Sequence, residues 1–228
     1  MTFLSDAEVI ITALEEYERN ARAGKGPVIT QEPLGKIISD LNVPDHIRRG
    51  GLSGENLRAF LQRYLSTTTN LHHPSYMAHQ VGPPHHAGAL AALIDGFTNN
   101  PMAIYEMGPG AASIEYAVIN WLLEKVGWQK APLDVKAPGV SDPWAGGVLT
   151  HGGSLANLTA LIAARKRLAP DVWQKGNPGD LAVLVPETSH YSVARAAGIL
   201  GIGREAIYRL EVDERGAVLP DRLPAVLE

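Results

Sequence analysis

Residues 147–157 read Gly147-Val148-Leu149-Thr150-His151-Gly152-Gly153-Ser154-Leu155-Ala156-Asn157. An apolar run, a glycine pair and a hydroxyl residue lead into a helical pattern that continues to Leu168. The reading is a short buried strand over Gly147–Thr150, a tight turn, and a helix over Ser154–Leu168. Glycines let a backbone turn sharply and approach a ligand closely. A helix start offers unpaired N–H groups and a positive dipole end, and Ser154 adds a hydroxyl. Together these are the parts of a site for one phosphate group. The plainer reading is a glycine turn with Ser154 as an ordinary N-cap.

Working outward, Leu181–Val185 is expected as an apolar strand, Tyr191–Leu200 as a helix stopped by Gly201, and Ala206–Val212 as a strand. Strands alternating with helices imply an α/β fold with a mostly parallel sheet of about three strands, fewer than such a sheet usually has. A further helix is expected to start at Pro220. Upstream the rhythm is helical. Helices are expected over Asp6–Arg22, Pro33–Leu41, Gly54–Ser66 with Ser53 as N-cap, Ala87–Phe97, and Ala111–Val126 closed by Gly127. Residues 67–86 and Pro101–Gly110 are expected as loops, and 128–146 as a surface connection.

Composition narrows the function. The chain has 228 residues, 45% hydrophobic and 19% charged, enough to form a substantial core. A net charge of −4 supplies no basic footprint for nucleic acid. The absence of cysteine excludes disulfides, cysteine nucleophiles and thiolate metal sites. The longest apolar run, Gly88–Ile94, is too short to span a bilayer. The acids Asp6, Glu15 and Glu16 argue against a signal peptide, so the expected location is cytoplasmic.

Three further features bear on chemistry. Ser189-His190-Tyr191-Ser192 follows the strand Leu181–Val185. In a parallel sheet the carboxyl ends of strands line the ligand crevice, so Ser154 and His190 can share one site. A histidine there can stack on an aromatic cofactor or move a proton. Five of the eight histidines, His72, His73, His79, His85 and His86, fall in one stretch. No carboxylate lies within residues 67–94, and the spacing fits no compact zinc pattern, so no metal is expected. Finally, Gly152-Gly153-Ser154-Leu155-Ala156 approximates a nucleophile elbow, with Ala156 where a glycine belongs. A serine hydrolase would need His190 and either Asp171 or Asp180 to complete a triad.

These stretches in their order resemble the group II pyridoxal-phosphate-dependent amino-acid decarboxylases, which include glutamate, aromatic-amino-acid and diaminobutyrate decarboxylases. The resemblance rests on His73-Pro74-Ser75-Tyr76, Asn100, Tyr105-Glu106-Met107-Gly108-Pro109, Glu115 and Trp121. It continues through Gly147–Thr150, Gly152–Asn157, Ala163-Ala164-Arg165 and His190-Tyr191-Ser192-Val193. It covers about residues 70–215.

The resemblance implies an aminotransferase-like (fold type I) large domain, α/β with a mostly parallel sheet. Residues 1–70 would form an N-terminal helical arm, and 71–228 the first, incomplete part of the cofactor-binding domain. It implies pyridoxal 5'-phosphate as cofactor, an amino acid as substrate, and a homodimer with sites at the subunit interface. Gly153 and Ser154 would hold the phosphate. His190 would stack on the pyridine ring and assist protonation after carbon dioxide is lost. His79 and Gln80 match the family's substrate-facing segment, and 100–109 would approach the pocket near the interface. Acidic, aromatic and diamino substrates all fit.

Two departures stand out. His151 occupies a position where many relatives carry a small polar residue. The family's aspartate for the pyridine nitrogen and its cofactor-bearing lysine, usually preceded by histidine, have no counterpart here, and no lysine of this chain follows a histidine. The chain therefore reads as the N-terminal part of a decarboxylase, inactive in isolation. The alternative is a non-catalytic truncated relative acting as a dimerisation or phosphate-binding module.

Overall fold

A computed structural model describes residues 2–77, 79–133 and 144–224, which divide into two units, 1–99 and 100–228. The first unit is all helix: α1 (Phe3–Arg22), α2 (Leu34–Leu41), α3 (Val43–Arg48), α4 (Gly54–Thr67) and α5 (His86–Thr98). Thr2 and Ser5 form a reciprocal capping box that starts α1 three residues before the expected Asp6. Helix α1 packs on α4, and α2 also packs on α4. Among the described residues of this unit, Ala21 and Leu57 are the buried apolar ones. Ser53 precedes α4 as expected, but its hydroxyl makes no capping bond. The free N–H of Gly54 donates instead to the Asp6 carboxylate of α1, at 2.9 Å. Such a tertiary cap cannot be read from local sequence. Helix α3 was not expected; Pro44 at its start and Asp45 in its first turn are its local signals.

The second unit contains α6 (Pro109–Lys125), α7 (Gly153–Leu168), α8 (Val172–Lys175), β1 (Val183–Pro186), α9 (Ser192–Ile199) and β2 (Ile207–Leu210). Short 3-10 turns lie at Tyr105–Met107 and Pro220–Arg222. The latter stands at the start of the helix expected from Pro220, whose continuation over 225–228 lies outside the described residues. Strands β1 and β2 run parallel, with Val183 opposite Ile207 and Pro186 opposite Leu210, and α9 is the crossover between them. Val185 and Leu210 bury on this sheet, while Ala196, Ala197 and Leu200 bury around α9, which packs against α7.

Among the described residues the sheet has two strands, not three. Gly147–Thr150 is not a strand, and Val148 and Leu149 are more than half exposed. A strand needs a neighbour for its ladder, and this segment has none among the described residues. It lies on α6 instead. A side chain at Gly147 would come 3.0 Å from the Ile119 side chain, which would have to shift to admit it. Part of the expected connection 128–146, residues 134–143, lies outside the described residues. No helix among the described residues is long and apolar enough to cross a membrane.

Candidate functional site

The loop before α7 is shaped by one glycine. Gly152 has φ +89° and ψ 163°, a backbone region that L side chains rarely adopt. Its N–H donates to the carbonyl of Thr150 at 2.9 Å, closing a tight turn, and its carbonyl accepts the N–H of Ala156 at 3.2 Å. The N-cap is therefore Gly152, and Ser154 is the second helical residue, which corrects the N-cap reading of Ser154. Within the described residues, the N–H groups of Gly153, Ser154 and Leu155 have no backbone acceptor, and the Ser154 hydroxyl has no partner. Open space surrounds Gly152 and Gly153: a methyl built on either meets nothing within 4 Å. Arg165, Lys166 and Arg167 close the other end of α7, complementing its dipole.

This arrangement fits a phosphate. Three unpaired N–H donors and a hydroxyl lie together at one exposed helix start, with open space at Gly152 and Gly153. The approach to the loop is also anchored. The N–H of Leu149 donates to Oε1 of Glu115 on α6, at 2.7 Å.

His190 stands two residues before α9, exposed at the carboxyl end of β1. Its Nδ1 lies 2.8 Å from the hydroxyl of Ser192 and accepts the Ser192 N–H at 3.2 Å. Ser192 is only 2% exposed, and its hydroxyl oxygen also accepts from Nδ2 of Asn157, at 2.8 Å. Asn157 belongs to the second turn of α7. Ser154 and His190 thus stand at the starts of two helices that pack together in one unit; His190 follows a strand, whereas Ser154 follows the non-strand segment Gly147–Thr150. Asn157 and Ser192 lie within the sequence motifs, whose pattern assigns them no role. The signal for Ser192 was its place two residues after a histidine, at a helix start.

His79 and Gln80 belong to the other unit. His79 sits at φ +58° in the bend before α5, and Gln80 is exposed. The neighbouring histidines have local work. His85 Nδ1 caps α5 by accepting the N–H of Ala87 at 3.1 Å. His86 Nε2 meets Glu18 at 2.7 Å. Glu18 also pairs with Arg22, whose hydrogen bond is the main cause holding the Glu18 carboxyl below its ordinary range, with His86 next. Among the described residues no cluster of His, Asp or Glu could hold a metal. A hydrolase triad is not assembled. The Ser154 hydroxyl does not bond His190, and Asp171 pairs with Lys175 at 2.7 Å.

The family model described as the pyridoxal-dependent decarboxylase conserved domain matches residues 50–228. Acidic amino acid decarboxylase GADL1 of Xenopus tropicalis is 29% identical over 197 residues, 85% of this chain and 35% of that protein. Aromatic-L-amino-acid decarboxylase of Bacillus atrophaeus is 33% identical over 193 residues, 82% of this chain and 36% of that protein. The crystal structure of mouse CSAD superimposes with a TM-score of 0.79 at 20% identity, covering 99% of this chain and 45% of that one. The chain spans about a third of the length of these curated relatives.

Proposed function

The chain belongs to the pyridoxal-dependent decarboxylase family, and from that premise we propose that the protein decarboxylates an amino acid with pyridoxal 5'-phosphate. The observation that carries this reading is the open loop Gly152–Ser154, with its unpartnered N–H groups and hydroxyl, in the unit that also holds His190. The cofactor, when bound, supplies an electron sink for the bond to the departing carboxylate. The residues of this chain bind and orient. Gly153 and Ser154 hold the phosphate through N–H groups and the Ser154 hydroxyl. With the cofactor bound, His190 would stack on its pyridine ring and would be the group placed to assist protonation of the product. His79 and Gln80 face the substrate.

In this reading residues 1–70 are a helical arm and 71–228 part of the cofactor-binding domain. We also propose a homodimer working in the cytoplasm.

The test uses the native protein with pyridoxal phosphate and a panel of acidic, aromatic and diamino acids, reading released carbon dioxide. Release from one class supports the proposal and names the substrate. No release from any amino acid, with no cofactor absorbance on the protein, overturns it.

A further inference from the structure

We infer that Asn157 and Ser192 form a polar relay that fixes His190 as the Nε2–H tautomer, making them positioning residues for the proposed site. The inference rests on the proposed role of His190. It goes further by assigning the imidazole's proton and the residues that place it.

The Ser192 backbone N–H has only one polarity, and it points at His190 Nδ1 at 3.2 Å. An N–H cannot bond to a second N–H, so this contact favours the lone pair at Nδ1. Asn157 Nδ2 is likewise a donor, and it occupies the Ser192 hydroxyl oxygen as acceptor at 2.8 Å. The hydroxyl proton of Ser192 is then free to turn to Nδ1, 2.8 Å away. Two donors converge on Nδ1, and a neutral imidazole places its proton on the other nitrogen.

The consequence is directional. Nε2–H is left as the one donor of the ring, and it has no partner among the described residues. The ring is held through Nδ1, so the donor faces away from α9 and is available to an anionic or carbonyl group of a bound ligand. Ser192 is buried, so water does not compete for the relay. Asn157 stands on α7, one turn beyond Gly153 and Ser154, so the helix that presents the phosphate donors also sets the polarity of the histidine.

The test reverses one polarity. Asn157→Asp keeps the shape but replaces the amide donor by a carboxylate, which draws the Ser192 hydroxyl proton to itself. The hydroxyl oxygen then faces Nδ1 as an acceptor. The native protein, labelled with [15N]histidine, is read by long-range 1H–15N correlation, with His190 assigned by His190→Gln. The wild type is expected as a single Nε2–H tautomer. In Asn157→Asp the ratio of Nε2–H to Nδ1–H is expected to fall by about tenfold, the scale of one charge-assisted hydrogen bond. An unchanged ratio overturns the relay.

Should Asn157→Asp fail to fold, Ser192→Ala decides. Its Nδ1 resonance should move toward that of an unbonded imine nitrogen, and an unmoved resonance overturns the relay. In turnover, Asn157→Asp should lower kcat by about tenfold while KM stays within about twofold. A changed tautomer with unchanged kcat overturns the positioning role. If the native protein binds no pyridoxal phosphate, the functional proposal fails while the tautomer result still judges the relay.

Discussion

Oε1 of Glu115 accepts the backbone N–H of Leu149 at 2.7 Å, joining α6 to the segment that enters the phosphate loop. This segment has no strand neighbour among the described residues, so one side chain does what a ladder would otherwise do. Glu115→Ala is expected to cost about 1 kcal/mol of stability, the net worth of one partly exposed hydrogen bond. Glu115→Gln keeps an acceptor oxygen and should recover most of that loss. Urea unfolding of the three proteins checks both statements, and equal midpoints for the alanine variant and the wild type would show that the bond holds nothing.

Ser154 contributes the side-chain hydroxyl at the loop that has no partner among the described residues, that of Thr150 being turned to the Gly152 carbonyl. Ser154→Ala should weaken pyridoxal phosphate binding about tenfold, the scale of a hydrogen bond to a charged group. Binding of pyridoxal, which lacks the phosphate, should not change. Titration of both compounds by absorbance separates these outcomes; an equal loss for both would place Ser154 somewhere other than the phosphate.

Gly152 tests the loop's backbone instead. At φ +89° an alanine side chain is strained, although its methyl would meet no neighbour. Gly152→Ala is expected to destabilise the protein by about 1–2 kcal/mol, or to shift the loop and reduce phosphate binding. Thermal unfolding together with the same titration detects either effect. A variant with wild-type stability and wild-type affinity would show that the turn does not need this conformation.

His190 is exposed and, among the described residues, hydrogen-bonds only to Ser192. Removing its ring should therefore spare the fold. His190→Ala is expected to reduce turnover by about 100-fold or more, the usual contribution of a positioned acid or base. Circular dichroism should be unchanged. Near-normal turnover would remove His190 from the reaction.

Much of this was legible in the sequence because local physics governs it. The pattern of α7, the strand β1, the stop at Gly201 and the placing of His190 after a strand all follow from periodicity and turn chemistry. What escaped the sequence was decided at a distance. Gly147–Thr150 has a strand's composition, yet lies against Ile119 and Glu115 of α6. Ser53 has a cap's composition, yet Asp6 supplies the cap. Asn157 and Ser192 are 35 residues apart, and no local pattern announces that their side chains meet. Polar contacts between helices depend on packing angles that the sequence does not display.

The clasp around Glu18 carries a pH dependence whose sign is fixed. Arg22 and His86 both donate to its carboxylate and hold the carboxyl below its ordinary value of 4.5. A carboxyl depressed in the folded state contributes stability above its unfolded value, and that contribution is lost as the pH falls through the folded value. The loss therefore lies on the acid side, below 4.5, and not near neutrality. Glu18→Gln should lower the urea midpoint slightly at pH 7, since exposed ion pairs contribute little. At a pH well below 4.5 the variant and the wild type should coincide, because the wild-type carboxyl is then protonated. His86 joins α5 to α1 through this carboxylate, so His86→Ala should reproduce part of the neutral-pH loss. A midpoint difference that persists unchanged into acid would show that Glu18 acts through shape and not through charge.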